Sequence, residues 1–385
     1  MTDLPSKLPD NYRTWQDAVK AHNLVGKTVH TAELVSASKI EFKQFLLLRV
    51  LWDPRIGDQL TDLPLALKKY HAQAKEMLAT SQSWADYCSG IKNGETPEGS
   101  FSIARHYQIK AATGGENMRP DSFDTPVAMR TRSHTTRNLA EALREFHIDR
   151  TPSKNPIPVP QTPNLEESSD DESVVISPPP SAPTPAILVP QDLHKLMFPA
   201  TKDEQIVNAA LVVFLNALTI HSPIIKRCDW SLHRYSFLSE FDVAKFVSRT
   251  DGYLDDSRGN PYALIEVKPI IRGVTSQSQI QMQEGSQMAS WIKHDIDAPL
   301  EKLRALISQD RHEIFITIAE YDSGYVTYLR KKPLNNEPLS FLTMRQYGPW
   351  NTTHAGHMKK LGPILLALTL YAEDEVRKTE ASLSD

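Results

Sequence analysis

Two oppositely charged residues, Glu266 and Lys268, lie in the otherwise apolar stretch 262–268. Successive side chains of a β-strand point to opposite faces, so a carboxylate and an ammonium group two positions apart share one face. Asp251, near the end of an earlier apolar run, is a third charge of this kind. Charged groups among apolar neighbours lose solvation, and the pattern therefore predicts that these three residues hold a ligand or an ion.

Two carboxylates beside an amine suit the hydrolysis of a phosphodiester. That reaction needs a divalent cation, which neutralises charge on the phosphoryl oxygens and delivers a hydroxide at neutral pH. Mg²⁺ and Mn²⁺ prefer hard oxygen ligands, and Asp251 and Glu266 are the predicted ligands. Lys268 can orient or deprotonate the attacking water, or stabilise negative charge, provided that its surroundings lower its pKa.

A β-hairpin and a following helix are the elements that must position these residues. The hairpin is predicted over 249–268, because two apolar runs flank a polar cluster of Asp, Ser, Gly and Asn. The helix is predicted from 277 to about 294. On it Gln279, Gln283 and Gln287 recur every four positions and share one face. We predict that Gln283 and Gln287 contribute amides to the site, and that Gln279 lies on the polar surface of the protein.

The rest of the second half predicts an α/β sandwich with a mixed sheet flanked by helices. An amphipathic helix over 202–220 precedes strand candidates at 229–237 and 243–253. Apolar, β-branched and aromatic runs at 313–319 and 325–329 predict a second strand pair, because Asp, Ser and Gly separate them. A helix over 356–378 ends the domain.

The first half of the chain carries no comparable group of chemical residues. Helices are predicted at 12–23, 31–51 and 65–91, the last as one helix or a pair, so that 1–150 is interpreted as a mostly helical N-terminal region. Residues 151–190 are rich in proline and acidic residues. Such a composition cannot bury enough apolar surface to offset chain entropy, which predicts a disordered linker before a second domain at 191–380.

The motifs resemble those of the PD-(D/E)XK nuclease superfamily, whose restriction-endonuclease-like core has the order αβββαβ. They are similar in particular to the fungal PD-(D/E)XK nuclease-like domains. Those domains carry an acidic helix start, an Arg-x-Asp-Gly strand end, a Glu-Val-Lys-Pro strand and a Gln-rich helix. The matching segments here are 204–208, 249–252, 266–269 and 283–291, within a resemblance that covers about 200–330. Thr250 departs from the superfamily pattern, which has proline before the aspartate.

The resemblance implies roles for the matched residues. Asp251 and Glu266 would bind Mg²⁺ or Mn²⁺, Lys268 would act on the attacking water, and Glu204 would support the metal from the first helix. A glutamate in a first helical turn also interacts favourably with the helix dipole, so both interpretations of Glu204 stay open. Gln287 and Trp291 resemble the Gln-x-x-x-Tyr element of helicase-associated nucleases in the superfamily, with Trp in place of Tyr.

The function implied by the resemblance is metal-dependent hydrolysis of nucleic acid, more often DNA than RNA. Two alternatives stay open. One is a catalytically inactive nuclease fold that binds nucleic acid or protein, and the other is a regulatory scaffold whose N-terminal helices bind a protein partner. The Glu-x-Lys spacing alone decides nothing, because Glu41-Phe42-Lys43 repeats it in an apolar helical run without an upstream Asp-Gly. We interpret that second occurrence as a solvated helix edge.

Composition limits the possible compartments and partners. The formal net charge of −4 argues against a basic field over the whole chain. Cys88 and Cys228 lie far apart without metal-type spacing, which favours a reducing, intracellular compartment, nuclear or cytoplasmic. No signal peptide is predicted at the N-terminus, and no apolar run approaches the ~20 residues that a membrane-spanning helix needs.

Overall fold

The computed structural model describes residues 4–54, 64–113, 201, 203–273, 277–331 and 339–382. The α-helices and β-strands of these residues are, in chain order, α1 (Tyr12–Ala21), α2 (Phe42–Leu47), β1 (Val50–Pro54), α3 (Leu65–Ala79), α4 (Gln82–Asn93), α5 (Ser102–Thr113), α6 (Glu204–Thr219), β2 (Cys228–Ser231), β3 (Ser236–Glu240), β4 (Lys245–Arg249), β5 (Gly252–Asp256), β6 (Pro261–Lys268), α7 (Gln277–His294), β7 (Arg304–Asp310), β8 (Glu313–Glu320), α8 (Ser323–Arg330), β9 (Leu342–Asn351) and α9 (Ala355–Ser382). The linker predicted over 151–190 lies outside the described residues.

A seven-stranded mixed sheet with the strand order β1-β9-β8-β7-β6-β5-β2 organises the fold, and β3 and β4 form a separate two-stranded sheet. The pairs β1–β9 and β6–β7 are parallel, and the other neighbours in the large sheet are antiparallel. Helices pack apolar side chains against both faces of this sheet. The predicted mixed α/β architecture is therefore confirmed. Among the described residues, no helix is both long and apolar enough to cross a membrane.

Strand β6 is buried on both faces, and its side chains alternate as predicted. Ala263, Ile265 and Val267 join the apolar cluster under α6 and α9, whereas Leu264 joins the cluster under α7. Glu266 and Lys268 follow Leu264 on the α7 face. The predicted hairpin is also present, since β5 and β6 pair antiparallel. Helix α7 occupies the predicted range and presents Met282, Met288 and Ile292 to the core.

The prediction of a strand at 325–329 is wrong, because this segment forms helix α8. The Asp-Ser-Gly signal that suggested a hairpin begins the helix instead. The Asp322 side chain accepts a hydrogen bond of 2.8 Å from the Tyr325 N–H, so it acts as the N-cap. The apolar face of the helix then buries Tyr325, Tyr328 and Leu329.

The described residues of the N-terminal region, 4–54 and 64–113, are mostly helical, and they share the large sheet with the second half of the chain. The predicted helix at 31–51 is interrupted: α2 is short, Arg49 adopts a left-handed φ of 53°, and β1 follows. Strand β1 pairs with β9, with Val50 opposite Leu342. The described residues on both sides of 117–190 accordingly belong to one compact unit.

Because β1 belongs to the large sheet, we predict that a substitution that weakens its packing destabilises the whole unit. Val50 is fully buried, and we expect Val50→Ala to lower the free energy of unfolding by about 2 kcal/mol. Urea unfolding followed by circular dichroism should show one transition with a shifted midpoint. Val25→Ala, at a side chain with 71% exposure, is the matched control and should leave the midpoint unchanged. A second transition that Val50→Ala leaves in place would instead show an independent N-terminal domain.

Candidate metal centre

Three carboxylates from distant parts of the chain lie close together near the C-terminal end of β6. Glu204 lies in the first turn of α6, Asp251 lies between β4 and β5, and Glu266 lies on β6. One oxygen of each lies within 4.8 Å of the others, so the three side chains could hold a metal ion. Two oxygens bound to one Mg²⁺ at ~2.1 Å are at most about 4.2 Å apart, a separation within reach of small side-chain rotations.

Asp251 is fixed by hydrogen bonds from several directions. Its N–H donates to the Ile265 carbonyl at 3.0 Å, and its Oδ2 accepts from the Val267 N–H at 3.1 Å. The Asn208 amide donates to the Asp251 carbonyl at 2.9 Å. A Cβ at Gly252 would lie 2.5 Å from the Ser231 carbonyl oxygen, which explains why glycine follows the aspartate. The Asp-Gly pair thus places the carboxylate where β5 meets β2 and β6.

Glu266 is almost fully buried and is held by the residues predicted to surround it. Its Oε1 accepts hydrogen bonds from Lys268 and Gln283, and its Oε2 accepts one from Gln287 at 2.6 Å. Gln287 also donates to the Arg249 carbonyl at 2.7 Å, which ties α7 to the end of β4. Gln279 turns away and donates to the Ile40 carbonyl at 3.3 Å.

The structure thus brings all six predicted site residues into one cluster. Lys268 completes it, because its Nζ lies 3.7 Å from Glu204 Oε1 and contacts Glu266. The second Glu-x-Lys, at Glu41 and Lys43, has both side chains exposed at the start of α2.

Burial makes the acidic cluster hard to ionise completely. Burial and the nearby Asp251 raise the pKa of Glu266 to about 8. Burial also raises the pKa of Glu204, although Lys268 counteracts this shift. A bound cation would favour the ionised carboxylates and would therefore release the proton that burial retains.

The pKa of Lys268 is shifted in the direction opposite to the one that proton abstraction requires. Burial by itself would lower the pKa of Lys268, but Glu266, Glu204 and Asp251 raise it above its ordinary value. The condition that its surroundings lower this pKa is therefore not met. In this arrangement the neighbouring carboxylates favour the ammonium form of the side chain, which balances their negative charge.

Two buried amide oxygens favour a cation in this cluster. Asn208 Oδ1 and Gln287 Oε1 have no hydrogen-bond partner among the described residues. Buried acceptors are normally satisfied, so these two suit a hydrated ion beside the carboxylates. The available ligand atoms are all hard oxygens, a set that fits Mg²⁺ or Mn²⁺ and does not provide the sulfur and imidazole of typical zinc sites.

Sequence reasoning gave no role to two residues that contact the cluster, although the first of them ends the matched segment 204–208. Asn208 lies four positions after Glu204, so its place on the same helical face was a usable signal. Arg234 lies between β2 and β3, with its guanidinium 3.4 Å from Asp251 Oδ1. No local pattern marks Arg234, because its neighbours in sequence do not form a recognisable motif.

A buried ion cluster beside the carboxylates was missed as well. Arg272 donates to Asp310 at 2.6 Å, to Ser308 at 3.1 Å and to both oxygens of Glu284 at 2.5 and 3.2 Å. Its guanidinium also lies 4.3 Å from the centre of the Phe315 ring. These contacts join the segment after β6 to α7 and β7. In the β6–β7 register, Ser308 is opposite Glu266 and Asp310 is opposite Lys268.

Comparison of the chain with protein-family models, with curated proteins and with solved structures found no match.

Proposed function

We propose that this protein is a metal-dependent nuclease of the PD-(D/E)XK type. Its restriction-endonuclease-like αβββαβ core would be α6, β2, β5, β6, α7 and β7, with the β3–β4 hairpin inserted after β2. The observation that carries the proposal is the convergence of Glu204, Asp251 and Glu266 to within 4.8 Å, beside the Lys268 ammonium group. The chemistry of this donor set matches phosphodiester hydrolysis.

In this proposal Asp251 and Glu266 hold Mg²⁺ or Mn²⁺, and Glu204 completes the carboxylate set. A divalent cation bound there would neutralise charge on the phosphoryl oxygens and lower the pKa of the attacking water. Lys268, held as an ammonium group by the carboxylates, stabilises negative charge that develops on the phosphate. Gln283 and Gln287 fix both oxygens of Glu266, so that this ligand is oriented before substrate arrives.

DNA is the proposed substrate, and the first experiment is cleavage by the purified protein. With Mg²⁺ or Mn²⁺ the protein should cleave single- or double-stranded DNA, and chelation should stop the reaction. Absence of cleavage of both DNA and RNA, together with metal-independent DNA binding, would favour the inactive nuclease fold as a binding module.

The metal ligands are tested by the isosteric variants Asp251→Asn and Glu266→Gln. Each removes the charge of one proposed ligand, so Mn²⁺ affinity should fall by more than the about 10–100-fold that loss of an outer-shell partner costs. Titration calorimetry with Mn²⁺ measures the affinity, and circular dichroism confirms folding. Asp297→Asn, at a side chain with 86% exposure, is the matched control. Unchanged Mn²⁺ binding by both ligand variants would refute the assignment of the site.

A further inference from the structure

The backbone next to Arg234 pairs with the segment that carries Asp251. The next residue, Tyr235, donates its N–H to Thr250 Oγ1 at 3.2 Å and accepts from the Thr250 N–H at 3.0 Å. This pairing aligns the segment before β3 with the segment before β5. Arg234 is thereby placed opposite Asp251, and the pairing fixes the backbone position from which its side chain reaches the cluster.

The ion pair between Arg234 and Asp251 is loose. Its N···O distance is 3.4 Å, longer than the about 2.7–2.9 Å of strong charge-assisted hydrogen bonds. The Arg234 side chain is 41% exposed, and such half-exposed pairs contribute little to stability. The long contact and the exposed side chain leave the guanidinium accessible to an oxyanion from solvent, and guanidinium binds phosphate in a bidentate manner.

Exposure of the cluster increases towards Arg234. The side-chain exposure is 2% at Glu266, 11% at Asp251, 19% at Lys268, 21% at Glu204 and 41% at Arg234. A ligand that approaches from solvent would therefore meet the guanidinium at the outer side of the cluster.

The balance of charges favours an anion once a cation is present. The three carboxylates, Lys268 and Arg234 together carry one net negative charge when all are ionised. One divalent cation changes this to one net positive charge. Without Arg234 the loaded cluster would be neutral, so this residue supplies the charge that attracts a phosphate.

We propose that Arg234 binds a backbone phosphate of the nucleic acid at the entrance of the site and determines the affinity for substrate, not for metal. The inference rests on the proposed function for the identity of the polymer. It assigns the substrate contact to a residue outside the carboxylate and glutamine set.

The experiment measures binding of a fluorescein-labelled DNA oligonucleotide to the full chain by fluorescence anisotropy, with Ca²⁺ in place of Mn²⁺. Arg234→Gln should weaken binding about 10–100-fold, because a charge-assisted contact to phosphate is lost. The slope of log affinity against log salt should become shallower by about 0.9 for duplex and about 0.7 for single-stranded DNA. Arg234→Lys should restore part of the affinity, since it keeps the charge without the planar fork.

Arg330→Gln is the matched control, because it removes one exposed arginine that pairs with Asp297 and not with the cluster. It should leave both the affinity and the salt slope unchanged. Mn²⁺ titration of Arg234→Gln should give an affinity equal to or higher than that of the unaltered protein, since the metal ligands are intact and a positive charge is removed beside Asp251.

Several results would overturn the inference. Equal DNA affinities of Arg234→Gln and Arg330→Gln would do so, and so would absence of DNA binding by the unaltered chain. Loss of Mn²⁺ binding in Arg234→Gln would also do so, because Arg234 would then act by positioning Asp251. A free mononucleotide also carries a phosphate. If it bound as tightly as the oligonucleotide, and if this binding depended on Arg234, the inference that Arg234 binds the backbone of a polymer would be overturned. Arg234-dependent DNA binding without any cleavage would refute the nuclease and leave this inference standing.

Discussion

Replacement of Lys268 by alanine is expected to lower the rate of metal-dependent DNA cleavage about 100- to 1,000-fold while the protein stays folded. The ammonium group contacts Glu266 and lies 3.7 Å from Glu204, so it is a positive charge beside two of the three carboxylates. Its loss removes stabilisation of charge that develops during hydrolysis. Initial rates with Mn²⁺ measure the effect, and circular dichroism reports folding.

Lys43→Ala is the control for this variant, because Lys43 has the same Glu-x-Lys spacing on an exposed helix edge. It should cleave at the rate of the unaltered protein. Mn²⁺ affinity of Lys268→Ala should be equal or higher, since a positive charge leaves the neighbourhood of the cation. Equal cleavage by Lys268→Ala and Lys43→Ala would exclude the proposed role. Lys268→Arg, which keeps the charge, provides a second test if the alanine variant unfolds.

Replacement of Arg272 by methionine is expected to lower the free energy of unfolding by about 3–5 kcal/mol. The side chains of Arg272, Glu284 and Asp310 are at most 3% exposed. Removal of the guanidinium leaves two carboxylates in the interior without their cation. Chemical denaturation followed by tryptophan fluorescence measures the loss.

A rescue variant separates uncompensated charge from lost packing. Arg272→Met combined with Glu284→Gln and Asp310→Asn contains no buried charge in this cluster, so it should recover most of the lost stability. Arg330→Met removes an exposed arginine and should change stability by less than about 1 kcal/mol. If the single and triple variants were equally destabilised, packing of the Arg272 stem, and not charge, would be responsible.

The parts of the fold that sequence predicts are those with a local and unambiguous pattern. Strand β6 shows period-two alternation, and α7 carries glutamines at every fourth position, so both were placed correctly. The carboxylate site followed, because the hairpin fixes Asp251 relative to Glu266. The segment of α8 was ambiguous: Asp322 suits a turn and an N-cap equally, and a short run of Tyr, Val and Leu fits either element.

Contacts between distant residues could not be predicted from local patterns. Nothing around Val50 indicates that it pairs with Leu342, because the partner in a parallel pair is chosen by the assembled sheet. The Arg272 cluster is similar, since Glu284 and Asp310 belong to different elements and each reads as an ordinary surface charge. The direction in which the pKa of Lys268 is shifted could not be predicted either, because it depends on how many carboxylates surround the amine in the folded chain.

The position of β1 at one end of the sheet also affects how the protein is made. Val50 leaves the ribosome early, but its partner Leu342 is synthesised only after most of the chain. Phe45 and Val50 would each lie 3.2 Å from a Cβ at Gly285, so this N-terminal segment packs closely on the helix that carries Gln283 and Gln287. During translation, these apolar side chains therefore lack the cover of α7 until that helix is synthesised, and β1 lacks its partner strand until β9 appears, an exposure of apolar surface that favours aggregation.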